Sequence, residues 1–126
     1  MQHIFFFDGD SKKIAWIIQS NNETFEEKRE HAEIYLDKVT SLQSKYIALH
    51  VGLFWGIGRF IIKNEDKISI KIDDQKMFDH LSGNEEPLDE FIKTRSNFIS
   101  KFINQRKLKV DFELIDSKNN LSSKLI

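Results

Sequence analysis

The chain has no cysteine, one proline and only five glycines in 126 residues. The lack of cysteine excludes disulfides, thiolate metal sites and cysteine nucleophiles together. The scarcity of proline and glycine leaves little room for long irregular loops, while eleven phenylalanines supply core volume. A charge excess is missing too: 19 Lys and Arg face 20 Asp and Glu, a net of -1. There is no global attraction to nucleic acid or anionic membrane, so any contact with a polyanion needs a local patch. No apolar run approaches about 18 residues, and the first residues lack the basic and apolar regions of a signal peptide. The expectation is a soluble, cytoplasmic protein without a membrane span, folded as one domain over residues 1–126.

What is present begins with IFFFDGD, residues 4–10. Four apolar residues running into an acidic pair read as a buried strand that delivers Asp8 to the edge of a site. A carboxylate there needs a partner: a metal, a basic side chain or a hydrogen-bonding turn. KIAWIIQ, residues 13–19, follows as the second arm of a tight hairpin. From Phe25 to Leu36, the alternation of Ala32, Ile34 and Leu36 with Glu33 and Tyr35 predicts a third, edge-like strand, with a short helix as the alternative.

Thr40 or Ser41 suits an N-cap, and Leu42 to Phe60 is helical, with Leu42, Tyr46, Leu49, Leu53, Gly56 and Phe60 on one stripe. Lys67 to Ile72 alternates as a strand and ends in Asp73 and Asp74. A short helix over residues 75–81 closes at Ser82 and Gly83. Pro87 suits the first turn of a helix that carries Phe91, Ile92, Phe98, Ile99, Phe102 and Ile103 at spacings of three and four. Leu108 to Ile115 alternates as a last strand, Asp116 to Asn120 is a polar turn, and Leu121 to Ile126 forms a short helix. The order is β-β-β-α-β-α-α-β-α, a mixed α/β class with a five-stranded sheet and helices packed on it.

This order and its residues resemble the ribonuclease H-like family, of the small type-I kind. The family's DG dipeptide after the first strand is matched by Asp8 and Gly9. Its first-helix pattern T-N-N-x-x-E-Y-x-A-L is met by TSLQSKYIAL at Thr40, Tyr46, Ala48 and Leu49. Its G-D-S-Q after the fourth strand is met by IDDQ at Asp73 and Gln75, with Leu81 and Gly83 following. The R-x-x-N-x-x-A-D-x-L segment is met by Asn119 and Leu125. A weaker similarity, to the haloacid dehalogenase phosphatases, rests on D-x-D in DGD and the later IDD. The short chain and the first helix argue against it.

The resemblance implies two Mg²⁺ or Mn²⁺ ions held by four carboxylates and cleavage of RNA in an RNA/DNA hybrid. Two of the four positions remain acidic, Asp8 and Asp73; the other two fall on Lys45 and Ser123. Replacing a glutamate by lysine reverses the sign of a group that should face a dication. The family's glycine-rich loop between the first strands is reduced to Ser11 and Lys12. We therefore expect a catalytically inactive, cofactor-free binding or interaction module in which the Lys45 ammonium lies between Asp8 and Asp73. The alternative implied by the resemblance is a divergent metal-dependent nuclease using Asp8 and Asp73, with Asp10 or Asp74 as substitute ligands. A third reading is a structural, oligomerising protein.

Partners expected on these grounds are RNA/DNA hybrid or another nucleic acid, or a protein partner or second copy against Val51, Phe54 and Trp55 on the first helix. Packing of these three against the helix after Pro87 competes with that interface. The basic groupings Lys12 with Lys13, Lys28 with Arg29, and Arg106 and Lys107 with Lys109 each have acids nearby and read as solvated faces. His3, His31, His50 and His80 share no ligand spacing and are expected at surface or boundary positions.

Overall fold

The two apolar runs near the N-terminus pair as a hairpin. In the computed structural model, which describes residues Met1–Ile126, β1 (Gln2–Gly9) lies antiparallel to β2 (Lys13–Ser20), with Phe7 opposite Trp16. β3 (Glu23–Glu30) continues the meander antiparallel to β2. After α1 (Ser41–Gly58) the chain returns as β4 (Lys67–Ile72), parallel to β1, with Phe5 opposite Ile70. α2 (Gln75–Leu81) and α3 (Glu90–Gln105) lead to β5 (Lys109–Leu114), parallel to β4. The five strands lie in the order β3-β2-β1-β4-β5.

Strand alternation divides the core between two faces. Phe5, Trp16 and Ile18 are fully buried beneath α1, whose Gly52 lies so close to the sheet that an added Cβ would sit 2.6 Å from the Phe5 ring. On the opposite face Phe6, Ala15 and Ile17 are buried too, where a 3₁₀ segment, Leu121–Leu125, contacts β1 and β2. Thr40 is the α1 N-cap through a reciprocal capping box: its Oγ1 accepts from Gln43 N at 3.0 Å, and Gln43 Oε1 accepts from Thr40 N at 2.9 Å. α1 and α3 run side by side in the same direction, with Gln43 near Asp89, His50 stacked on Phe98 and Phe54 on Phe102.

Three expectations need correction. The third strand ends at Glu30, because the backbone turns there and carries the buried His31 inward, its Nε2 3.0 Å from the Asp10 carbonyl and 2.7 Å from Ser44 Oγ. Residues 33–39 are turns, with Ile34 69% exposed, so the alternation of Ala32, Ile34 and Leu36 marks no strand. Pro87 lies ahead of α3, whose N-cap is Asp89, accepting from Ile92 N at 2.8 Å. The final segment is 3₁₀ rather than α-helical. No helix is long and apolar enough to cross a membrane.

Candidate functional site

Parallel pairing of β1 with β4 brings their C-terminal ends together, the place where open α/β sheets form their sites. Asp8 ends the apolar run of β1, and Asp73 follows the last residue of β4. α1 approaches the same edge closely: a Cβ on Gly9 would collide with Ser44. That close approach presents the next residue, Lys45, to both acids.

The Lys45 ammonium donates to Asp8 Oδ1 at 2.8 Å and to Asp73 Oδ1 at 2.7 Å. Asp8 Oδ1 also accepts from its neighbour Gly9 N at 2.8 Å, and Asp8 Oδ2 accepts from Ser123 Oγ at 2.6 Å. Asp73 Oδ2 accepts from Asn120 Nδ2 at 2.9 Å. All four carboxylate oxygens therefore have a donor, and the side chains are well covered, at 15% exposure for Lys45, 16% for Asp8 and 4% for Asp73.

Electrostatics follow the geometry. Burial pushes the Asp8 carboxyl up, but hydrogen bonds from Lys45 and Ser123, the Lys45 charge and the Gly9 amide outweigh it and leave the group below its ordinary 3.8. Burial pulls Lys45 down, and its bonds and charge pairing with Asp73 and Asp8 outweigh that, raising it above 10.5. Each partner holds the other in its charged form.

These residues do not fit a pair of divalent ions. The oxygens that would face a metal are the ones bridged by the ammonium, and a dication must evict that cation or sit against it. No group of three or more His, Cys, Asp and Glu side chains is arranged to hold a metal. The proposed substitutes are engaged elsewhere. Asp10 Oδ1 accepts from the backbone of Lys12 and Lys13, each at 2.8 Å, and fixes the hairpin turn; Asp74 Oδ1 caps α2 by accepting from Met77 N at 2.9 Å. Asp10 and Asp74 each use one carboxylate oxygen to hold a local backbone turn or helix start, the role of ordinary turn acids.

Asn120 escaped the sequence reading, which matched its neighbour Asn119 instead. Asn119 is exposed, whereas Asn120 is 3% exposed and its amide donates both to Asp73 and to the Phe7 carbonyl at 2.8 Å. Its Oδ1 accepts from Ser122 N at 3.1 Å and Ser122 Oγ at 2.6 Å, so one side chain ties the C-terminal segment to the site. Two adjacent asparagines carry no periodic signal that tells them apart.

Surface or boundary positions also prove wrong for two histidines. His3 is buried, with Nδ1 2.5 Å from Ser20 Oγ and Nε2 2.7 Å from Asp66 Oδ2. The order Ser-His-Asp is that of a hydrolytic triad, but the imidazole side chain is fully enclosed. Burial and then the nearby Arg95 bring His50 down to about 4. His80 Nδ1 lies 2.6 Å from the Tyr46 hydroxyl, within hydrogen-bond distance. On the first helix, Trp55 packs edge-on against Trp16 and Val51 is half-buried, leaving Phe54 as the exposed member of that trio.

No family model matches the sequence, and no curated protein matches it. Solved structures do match the fold. RNase H1 of the halophilic archaeon Halobacterium salinarum NRC-1 superposes with a TM-score of 0.81 at 16% identity, over 99% of this chain and 94% of that one. The chain has a ribonuclease H-like fold. The N-terminal RNase H domain of a Mycobacterium tuberculosis protein is similar at a TM-score of 0.81 and 13% identity, over 98% of this chain and 89% of the other. LC11-RNase H1, whose crystal structure holds an RNA/DNA hybrid, gives 0.76 at 17% identity, over 98% and 92%. At these identities the likeness concerns the fold alone.

Proposed function

We propose that this ribonuclease H-like chain is a non-hydrolytic binding module in which Lys45 stands where a metal centre would otherwise be. The observation that carries the reading is the double bridge from Lys45 Nζ to Asp8 Oδ1 and Asp73 Oδ1. Two-metal hydrolysis of a phosphodiester needs several carboxylates converging on ions that clamp the attacking and leaving oxygens. Here two acids are neutralised internally, Ser123 supplies a hydroxyl in place of a third, and no residue is left to polarise water.

The same substitution changes what a nucleic acid would meet. A site of four bare carboxylates repels a phosphate backbone unless ions are bound, whereas Asp8, Lys45 and Asp73 carry a residual charge of only about one. A duplex of the kind bound by LC11-RNase H1 is accordingly the first ligand to test, held without divalent ions. The test uses an RNA/DNA hybrid labelled on its RNA strand, with Mg²⁺, Mn²⁺ or EDTA, and reads both retention on the protein and strand length. The expected result is ion-independent retention of intact RNA. Mn²⁺-dependent cleavage that disappears in Asp8→Asn would establish a divergent nuclease instead, and no retention under any condition would remove nucleic acid as the ligand of this face.

A further inference from the structure

Backbone strain gathers at the end of the sheet away from Asp8. Of five non-glycine residues with positive φ, three, Phe60 (61°), Glu65 (70°) and Lys107 (54°), lie on two turns joined by a hydrogen bond from Glu65 N to the Arg106 carbonyl at 2.9 Å. A left-handed backbone costs an L residue on the order of 1–2 kcal/mol, and such strain collects at functional sites. Phe60 is the clearest case. It follows the α1 C-cap, Arg59, at the position that favours glycine, and its ring is 79% exposed, so burial does not compensate.

Around it lies a surface of one chemical character. Phe54, 62% exposed, and Ile57 line a groove of about 610 Å³ with Phe60, Lys63 and Arg106, and no acidic side chain lines it. Residues 59–65 and 105–107 together carry four cations, Arg59, Lys63, Arg106 and Lys107, against the single acid Glu65. None of the four is in an ion pair. A chain with a net charge of -1 therefore concentrates positive charge outside ion pairs beside two exposed phenyl rings, Phe60 and Phe54, the second of which stacks on Phe102 with one face, while Arg59 lies over the Trp55 ring.

We propose that this surface binds single-stranded nucleic acid, with bases stacked on Phe60 and Phe54 and the phosphate backbone tracking Lys63, Arg106 and Lys107. Exposed aromatic faces combined with a cationic track are what sequence-tolerant single-strand binding requires, because every base has a π-face. A duplex hides those faces. An acidic peptide helix would bury its apolar face in a closed groove, whereas Phe60 is 79% exposed. The site lies about 20 Å, the length of β4, from Asp73 and shares no residue with the Lys45 cluster, so it does not depend on the reading given above.

The test is fluorescence anisotropy of labelled 15-mer oligo(dT) and oligo(U) with the full chain at 50 and 200 mM salt. Binding should weaken as salt rises. Phe60→Ala should weaken it about tenfold, the equivalent of one lost stack, while Phe60→Trp retains it. Lys63→Glu with Arg106→Glu should weaken it further and flatten the salt dependence. Since Phe60, Lys63 and Arg106 are exposed, the variants should keep the wild-type circular dichroism and melting transition. Absence of oligonucleotide binding at 50 mM salt, or equal binding by all these variants, overturns the proposal. So does a concentration-dependent rise in solution mass, abolished by Phe60→Ala, in a protein that binds no oligonucleotide; that result assigns the surface to a second copy of the chain.

Discussion

Lys45 Nζ is 2.7 Å from Asp73 Oδ1, and the same ammonium is 2.8 Å from Asp8. Removing its charge leaves two poorly solvated carboxylates facing each other. Lys45→Met should lower the unfolding free energy at pH 7 by about 3 kcal/mol, measured in urea. The pH dependence has a definite sign. Asp8 is depressed in the folded wild type, so its contribution is present above the unfolded value of 3.8 and is lost as pH falls through the folded value. Lys45 is raised, so its contribution is complete below 10.5 and lost as pH rises through its folded value. In Lys45→Met the Asp8 carboxyl keeps its Ser123 and Gly9 donors but loses its cationic one, so burial and the like charge of Asp73 raise it relative to wild type. Acid then relieves the repulsion, and the deficit of the variant should shrink between pH 7 and about pH 4. A variant as stable as wild type at pH 7 would falsify the bridge.

Lys45→Glu tests the same geometry from the opposite side. It turns the bridge into three converging carboxylates, a ligand set suited to a hard dication. Without metal this variant should be less stable than wild type. With Mn²⁺ at about 100 times its dissociation constant, binding should return about 2.7 kcal/mol, seen as a rise in the melting temperature. Wild type should show no comparable rise, and equal Mn²⁺ shifts in the two proteins would mean that Lys45 does not guard the site.

How much of this could be read from residues alone depended on the range of the interactions. The hairpin, α1 and α3 were legible because Phe5, Trp16, Leu49, Ile92 and Ile99 repeat with the period of their element. Asp8, Lys45 and Asp73 could be aligned because each sits at a fixed offset from a recognisable pattern. The end of β3 was not legible: it is set by His31 reaching Asp10 and Ser44, contacts between segments distant in sequence. Likewise nothing local separates Asn119 from Asn120, or shows that His3 is enclosed by Ser20 and Asp66. The Phe60 surface was hidden for another reason. Phe60 fits the apolar stripe of α1, and only its backbone, turned left-handed one residue past the C-cap, swings the ring out to solvent.

Asn120→Ala should be costly and local. The substitution leaves the Phe7 carbonyl without its amide donor, removes a donor from Asp73 and releases the 3₁₀ segment that carries Ser123. A loss of about 2 to 3 kcal/mol is expected, with faster amide exchange concentrated in residues 116–126. Asn119→Ala, at an exposed position, should change stability by less than about 0.5 kcal/mol. Equal effects of the two would show that the segment is held by packing on Phe6 and Ile17 rather than by the Asn120 amide.

Phe60→Gly should separate stability from binding. Glycine adopts the left-handed backbone without the penalty that phenylalanine carries, at an entropic cost of roughly 0.5 to 1 kcal/mol, and a ring that is 79% exposed gives up little on removal. The balance favours the variant by about 0.5 to 1 kcal/mol, or roughly 3 °C in the melting temperature. Oligonucleotide affinity should fall at the same time, because the stacking platform is gone. Improved stability with weakened binding is the signature of a residue kept for its surface rather than its fold, and it is distinguishable from the alternatives. If Phe60 packs productively on Phe54 and Ile57, the glycine variant melts lower than wild type; if its ring is idle, the variant melts higher with binding unchanged.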